Sequence, residues 1–437
     1  MDYSQTVQYL FGALPAFRHI GGVAYKPGLQ TIRELCTFYG YPHRNYLTVH
    51  IAGTNGKGSV SHMLAAVLQG CGYTTGLFTS PHLTDFRERI RVNGVMIPEQ
   101  DVIEFTERSR EMFDKVQPSF FEATVAMAFD YFNRRKVDVA VIETGMGGRL
   151  DATNIITPVL SVITNISMDH TQFLGNNPIA IASEKAGIIK RKVPVVIGET
   201  QSGTSQVFEY KAQELDCPIV FADRIASVSR AIPAAGGQTF YISRGGNELP
   251  LPIHIDLNGD YQRKNIITAL VAIQDLRLYT SLSIPAERIC PSLEHAAQTT
   301  GLRGRWQTLC RKPLTICDAG HNIAGLSWAV RQMDNYDYRR LRIIIGFVSD
   351  KDVAGMLQLL PAHADYYFTR ANIPRALDER ILRQKAQEAG LQGNCYSSVA
   401  TAIDAAFRAA SPDDFIFIGG SMFVTAEAIT AVETRGE

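Results

Sequence analysis

One junction limits the folds open to this chain. Leu47-Thr-Val-His-Ile-Ala52, an apolar run rich in β-branched residues, passes directly into Gly53-Thr-Asn-Gly-Lys-Gly-Ser59 and then into a helical stretch over about residues 60–69. A strand that ends in a glycine-rich turn and feeds a helix points backbone N–H groups and the helix N-terminus at one spot, which suits a polyphosphate. Lys57 is expected to reach the β- and γ-phosphates, Gly56 and Gly58 to admit close backbone approach, and the Ser59 hydroxyl to meet a phosphate or a metal-bound water. Gly53, Thr54 and Asn55 complete the turn. The spacing departs from the general Walker A pattern: two residues, not four, separate the first glycine from Gly56-Lys57, and a glycine follows the lysine. Ordinary P-loop kinases and GTPases are therefore poor matches. A turn that only joins strand to helix is the bland alternative, weakened by the lysine, the serine and the upstream strand together.

From Leu47 onward, short β-branched runs alternate with amphipathic stretches, the rhythm of a parallel sheet covered by helices on both faces, so the class is α/β. Further strands are expected over residues 75–79, 137–143, 159–164 and 193–198, and Asn93-Gly94 predicts a small hairpin over 89–96 that decorates the main sheet. Between about 198 and 252 the pattern loosens into polar and glycine-containing pieces that fit an irregular β-rich excursion. Asn258-Gly-Asp-Tyr261 then opens a long helical stretch through Leu276. After Gly301-Leu-Arg-Gly-Arg-Trp306, alternation restarts with strands over 314–318, 341–347, 366–370 and 415–419. At 437 residues the chain exceeds what one core usually supports, so two domains are expected, 1–297 and 298–437.

Lys+Arg and Asp+Glu both number 43, which argues against a general nucleic-acid binder and against attraction to anionic membrane. No apolar run approaches the roughly 20 residues of a membrane helix, and Met1-Asp2-Tyr3-Ser4-Gln5 lacks the basic region of a signal peptide, so a cytoplasmic location is expected. The seven cysteines are scattered without a Cys-x-x-Cys pair, which indicates reduced thiols rather than zinc ligands or a disulfide framework.

Four further segments put polar residues at predicted strand ends, where ligands bind in open α/β sheets. Phe78-Thr-Ser-Pro-His82 offers Ser80; the run from Val139 to Asn154 leaves Glu143 at the exit of an apolar strand; Ile163-Thr-Asn-Ile-Ser-Met-Asp-His170 offers Asp169 and His170; Glu184-Lys-Ala-Gly-Ile-Ile-Lys190 places Lys185 in a helical stretch. A carboxylate, a hydroxyl and phosphate oxygens are what magnesium prefers. Singly, Ser80 is explained as preparing the turn before Pro81, His170 as a core histidine and Lys185 as a solvated helix lysine. Their joint appearance downstream of a phosphate loop favours function.

These motifs, with Leu174-Gly175, Gly259-Asp-Tyr-Gln262 leading to Asn265, Gly304-Arg305, Asp318 with His321-Asn322, Asp350-Lys-Asp352 and Gly420-Ser421, resemble the folylpolyglutamate synthase and dihydrofolate synthase family, a branch of the Mur ligase superfamily. The glycine after Lys57 favours the folate branch over the wall-precursor ligases. The resemblance implies an ATP-binding P-loop domain with a mostly parallel sheet, a smaller Rossmann-like α/β domain and an active site in the cleft between them. It implies that Gly53 to Ser59 hold the triphosphate, that Ser80, Glu143 and His170 serve magnesium, and that Lys185 is carbamylated and holds a second magnesium. Asn265, Arg305 and Asp318 would contact the nucleotide from across the cleft, and His321 would sit near the transferring phosphate. The pterin-side substrate would meet Ser119, Phe120, Phe121 and Glu122 and Leu150, Asp151 and Ala152. Two departures stand out: Asp318-Ala-Gly-His-Asn322 replaces the usual Asp-Gly-Ala-His-Asn, and Leu302-Arg-Gly-Arg305 leaves Arg303 as a competing choice for Arg305.

The implied reaction activates a carboxylate as an acyl phosphate with ATP and magnesium, and the α-amino group of L-glutamate then attacks it. A base must take the amine's proton, and His321 is a candidate. Dihydropteroate and (tetrahydro)folate are both expected as acceptors, because residues 14–26, with Gly21-Gly22, form an extended loop able to cover a pteroate site. Extension of folates alone, a wall-precursor amide ligase and a small-molecule kinase are the competing readings. Small molecules are the expected partners, and a monomer the expected state.

Overall fold

The computed structural model describes residues 1–15, 28–234 and 236–435. Most of the expected 14–26 loop therefore lies outside the described residues. Among them no helix is long and apolar enough to cross a membrane. The chain divides into two compact units, Met1–Asp256 with Tyr261–Leu302, and Leu257–Asp260 with Arg303–Glu437.

The first unit is built on an eight-stranded sheet of β1 (Leu47–Ala52), β2 (Thr75–Phe78), β3 (Ile90–Val92), β4 (Val95–Met96), β5 (Val139–Glu143), β6 (Leu160–Ile163), β7 (Val195–Ile197) and β8 (Ile219–Phe221). The order is β4-β3-β2-β5-β1-β6-β7-β8, and β1 pairs in parallel with β5 and β6. Strand order thus reverses around β1, the switch point at which open α/β sheets bind ligands beyond their carboxyl ends. β5 is buried along its length, as a strand covered on both faces must be, and its apolar run suits it for that place.

Phe78, Ala140 and Ile142 join a cluster with Phe105, Phe113, Phe129 and Phe132, and Ile163 and Ile197 join a second with Ile181, Ile188 and Phe208. Each such fully buried ring contributes about 1.5–3 kcal/mol. His50 is the polar exception inside β1: its Nε2 lies 2.8 Å from Thr153 Oγ1, and burial, helped by Lys190, pulls its pKa down to about 3.

Three expectations change in detail. The Asn93-Gly94 hairpin forms, with φ of 49° and 76°, yet β3 pairs antiparallel with β2, so the hairpin extends the main sheet rather than decorating it. Residues 198–252 are not β-rich throughout: Ser205–Glu214 is a helix and β8 closes the main sheet. Only from residue 227 does a separate antiparallel sheet begin, with β9 (Ser227–Ala234), β10 (Gly237–Arg244), β11 (Asn247–Glu248) and β12 (Ile253–Ile255). Finally, the division between units falls after Leu302 rather than near 298. Residues 298–302 stay with the first unit because His62 Nδ1 meets Thr300 Oγ1 at 2.7 Å and Arg91 Nη2 donates to Gly301 O at 3.5 Å.

The second unit is a six-stranded sheet of β13 (Gln307–Arg311), β14 (Leu314–Cys317), β15 (Leu341–Ile345), β16 (Asp365–Thr369), β17 (Gly393–Tyr396) and β18 (Phe415–Gly419), in the order β13-β14-β18-β15-β16-β17. All neighbours run parallel except β13 with β14. Trp306, fully buried, anchors its core. The segment Leu257–Asp260 belongs here: Asp260 N donates to Gln332 Oε1 at 2.8 Å, and Asn335 Nδ2 donates to Asp260 Oδ2 at 3.3 Å. The chain therefore passes between the units after Asp256, after Asp260 and after Leu302.

Candidate active site

The turn after β1 is held from one side by the residues that follow β6. Thr54 N donates to Asn165 O at 2.9 Å, Asn55 N to Asn165 Oδ1 at 3.0 Å, and Thr164 Oγ1 to Asn55 O at 2.6 Å. Thr54 Oγ1 donates to Ser167 O and accepts from Ser167 N, at 3.1 and 3.0 Å. Gly53 has φ of 146° and lies so close to Thr164 that a Cβ there would sit 1.9 Å from Thr164 Oγ1. Gly53→Ala is accordingly expected to lower stability by about 1–3 kcal/mol, read by denaturant unfolding. An unchanged midpoint would mean that the clamp is loose.

Gly56, with φ of 85°, caps the helix Lys57–Gly70. From the Lys57 side chain, Nζ donates to Gly53 O at 3.1 Å and Thr54 O at 3.3 Å. Lys185, on the helix Pro178–Ala186, reaches the same carbonyl: its Nζ donates to Gly53 O at 2.8 Å. Two cations thus converge on one oxygen. Lys185 is buried, and desolvation first, then the Lys57 charge, lowers its pKa to about 7. Asp169 and Asp151 oppose that shift.

Two residues past β2, the backbone N of Ser80 donates to Glu143 Oε2 at 3.3 Å, and Glu143 is the last, buried residue of β5. Ser80 Oγ is buried with no hydrogen-bond partner among the described residues, as is Thr144 Oγ1. A buried orphan hydroxyl beside a buried carboxylate fits a divalent cation. Among the described residues no group of three or more His, Cys, Asp and Glu forms a cation site by itself. His170 follows β6 with φ of 49°, and its Nε2 lies 4.0 Å from Asp169 Oδ1.

The acceptor-side residues divide by chemistry. Ser119 and Glu122 satisfy each other as a capping box on the helix Phe120–Arg134, with Ser119 Oγ donating to Glu122 Oε2 at 2.7 Å and accepting from Glu122 N at 3.2 Å. Phe120 stacks on Phe11 at 4.5 Å between centroids, and Phe121 faces Gly145. Asp151 is consumed by its own loop, accepting from Met146 N at 2.9 Å and Thr153 N at 3.0 Å, while burial raises its pKa. Leu150 and Ala152 flank it.

Asn265 requires a correction. It belongs to the first unit, on the helix Gln262–Tyr279, and a Cβ on Gly56 would lie 2.3 Å from its Oδ1. It approaches the phosphate loop from the same unit, not from across a cleft, because Ile266 and Ala269 bury that helix in the first unit's core. Arg305, Asp318 and His321 lie in the second unit. Asp318 Oδ2 accepts from Trp306 N at 2.8 Å and Oδ1 from Gly320 N at 2.7 Å, so the Ala319-Gly320 order keeps this turn closed. Arg303 pairs with Glu433, and no ion pair is found for Arg305 among the described residues. His321 Nδ1 lies 3.0 Å from Ala319 O. A carbonyl only accepts, so Nδ1 is the donor in this contact. Gln262 and Asn165 contact the loop although neither is given a role from the sequence; Gln262 closes the Gly259-Asp-Tyr-Gln262 motif and Asn165 stands in the Ile163 to His170 segment, which is the signal they left.

A phosphate loop at the switch point of a parallel sheet, followed by a second α/β unit, defines the chain as a Mur-type ligase. The Mur ligase middle domain matches residues 51–273, and the Mur ligase glutamate ligase domain matches 304–422. The chain is 33% identical to the folylpolyglutamate synthase of Lacticaseibacillus casei, over 97% of each chain. It is 34% identical to the dihydrofolate synthase/folylpolyglutamate synthase of Bacillus subtilis, over 80% of this chain and 83% of that one. The solved Mycobacterium tuberculosis folylpolyglutamate synthase complexed with ADP superposes with a TM-score of 0.87 at 32% identity, covering 98% of both chains. The chain belongs to the folylpolyglutamate synthase and dihydrofolate synthase family. It spans 50% of the length of a Haloferax volcanii relative, 34% identical, named as a probable folylpolyglutamate synthase/dihydropteroate synthase.

Proposed function

We propose that this chain is an ATP-dependent ligase that joins L-glutamate to the carboxylate of dihydropteroate and of (tetrahydro)folate through an acyl phosphate. The convergence of Lys57 and Lys185 on the Gly53 carbonyl, beside the Ser80 and Glu143 pair, carries the reading. A carboxylate resists attack by an amine until it has a leaving group, and γ-phosphoryl transfer makes one. Backbone N–H groups of Gly56 to Ser59, at the start of the helix, and the ammonium of Lys57 cradle the triphosphate within the Gly53 to Ser59 turn and neutralise charge as the phosphoryl group moves.

Magnesium would be held by Ser80, Glu143 and His170 together with phosphate oxygens, and when bound it supplies electrostatic stabilisation of the phosphoryl oxygens. As an amine, Lys185 is a misplaced second cation. With a pKa near 7 it is partly free base at neutral pH, the form that combines with carbon dioxide with loss of a proton, and as a carbamate it would supply oxygen ligands for a second magnesium. Phe120, Phe121, Leu150 and Ala152 supply apolar surface for the pterin-bearing acceptor, with Ser119, Glu122 and Asp151 shaping the walls. From the second unit, Arg305 and Asp318 serve the nucleotide and His321 takes the glutamate amine's proton. A monomer acting on small molecules suffices for this chemistry.

The test is phosphate release from ATP with magnesium and glutamate, comparing no acceptor, dihydropteroate and tetrahydrofolate, with mass spectrometry of the products. Release that depends on both acceptors, with each product heavier by one glutamate residue, is expected. Release with tetrahydrofolate alone would restrict the chain to folate extension. No acceptor-dependent release would overturn the assignment.

A further inference from the structure

We propose that Gln262 is a positioning residue that fixes the Ser59 hydroxyl as a hydrogen-bond donor to the nucleotide's phosphates. The inference rests on the phosphate-site reading above but not on the identity of the acceptor.

Gln262 is fully buried at the start of the helix Gln262–Tyr279, in the second position after the chain returns from Leu257–Asp260. Its Nε2 donates to Ser59 Oγ at 3.2 Å, and its Oε1 accepts from Asn265 Nδ2 at 2.8 Å. No other hydrogen bond of Ser59 Oγ is found among the described residues, and Ser59 is itself 2% exposed. A hydroxyl has one proton and two lone pairs. When an amide N–H occupies a lone pair, the proton must point elsewhere, and the phosphate loop is where acceptor-only oxygens would lie. Gln262 therefore chooses between the two roles open to Ser59, and selects donation to phosphate. The same amide holds Asn265 against Gly56, so one buried side chain sets two groups that face the nucleotide site. A glutamine is needed for this because it must donate on one side and accept on the other. A leucine would leave both neighbours unsatisfied, and a glutamate would accept from both and turn the Ser59 proton inward.

The experiment compares Gln262→Glu, Ser59→Ala and the double variant in the full chain. Calorimetric binding of a non-hydrolysable ATP analogue with magnesium is the first readout, with KM for ATP against KM for glutamate as the second. Binding needs no acceptor, so failure of the folate assignment would leave this test readable. Gln262→Glu is expected to weaken nucleotide binding about tenfold or more and to raise KM for ATP in parallel, leaving KM for glutamate unchanged. In the Ser59→Ala background the same change is expected to cost less than threefold, because the hydroxyl it misdirects is gone. An equal loss in both backgrounds, or tolerance of glutamate with wild-type affinity, would overturn the proposal, the latter showing that Ser59 donates to residue 262. Should the buried carboxylate prevent folding, Gln262→Met keeps the volume, removes the donor and is read through the same cycle, with the same non-additivity expected and full additivity overturning the idea.

Discussion

Lys57→Ala is expected to lower acceptor-dependent phosphate release by about a hundredfold to a thousandfold while leaving a folded protein. The magnitude follows from removing one charged donor aimed at developing phosphoryl charge in a site that excludes water, worth about 3–4 kcal/mol. The fold should survive because, among the described residues, the Lys57 side chain bonds only the Gly53 and Thr54 carbonyls of its own loop. A second consequence follows from the neighbouring cation. Lys57 is the second cause, after burial, of the low Lys185 pKa, so its removal should let that pKa rise and reduce the free-base fraction at neutral pH. Steady-state kcat and thermal unfolding check both points. A variant that keeps more than a tenth of the parent's activity would remove Lys57 from the chemistry.

Lys185→Met should cut activity sharply and yet stabilise the protein. An ammonium buried against a second cation costs free energy, and its pKa reports how much: a fall from 10.5 to about 7 corresponds to roughly 5 kcal/mol as an upper bound. The sign runs one way. Below pH 7 the lysine is protonated in both folded and unfolded chains and the full penalty applies. Between 7 and 10.5 the folded form sheds its proton and the penalty shrinks, and above 10.5 it vanishes. In buffer free of carbon dioxide, the variant should therefore be more stable than the parent by several kcal/mol at pH 6, with the gap closing toward pH 10. Activity should drop a hundredfold or more, the scale of losses around metal ligands. A variant less stable than the parent at pH 6 would show that the bond to the Gly53 carbonyl outweighs the buried charge.

Local pattern and chemistry made much of this site legible before any coordinates. The strand entering Gly53 to Ser59, the apolar run ending in Glu143 and the strand ends at Ser80 and Asp169 stand where period and composition put them, because a parallel sheet writes its strands as continuous apolar runs. What escaped was non-local. Asn265 is 208 positions beyond Lys57 in sequence, and only the packing of its helix decides which unit it joins. Ser119 and Glu122, which the resemblance gives to the acceptor, also satisfy each other as a helix cap. The helix Ser205–Glu214 was hidden by a polar composition suited to a half-exposed surface. Lys185 read as a solvated helix lysine when taken alone, and its burial depends on the Gly53 carbonyl that reaches it from a distant segment.

The triple passage of the chain between the units bears on how the gene could be divided. A cut after Leu302 looks natural, but a fragment beginning at Arg303 would lack Asp260, whose N–H satisfies the buried Gln332 carbonyl oxygen, at a cost of about 1–3 kcal/mol for the orphaned acceptor. The other fragment would carry Leu257–Asp260 with nothing to lie on. A two-piece version meant to reassemble on command should instead be opened at the exposed Gly245-Gly246 turn between β10 and β11, which keeps Leu257–Asp260 on one piece with Arg303–Glu437 and leaves the helix Gln262–Tyr279 to re-dock on the first unit's core.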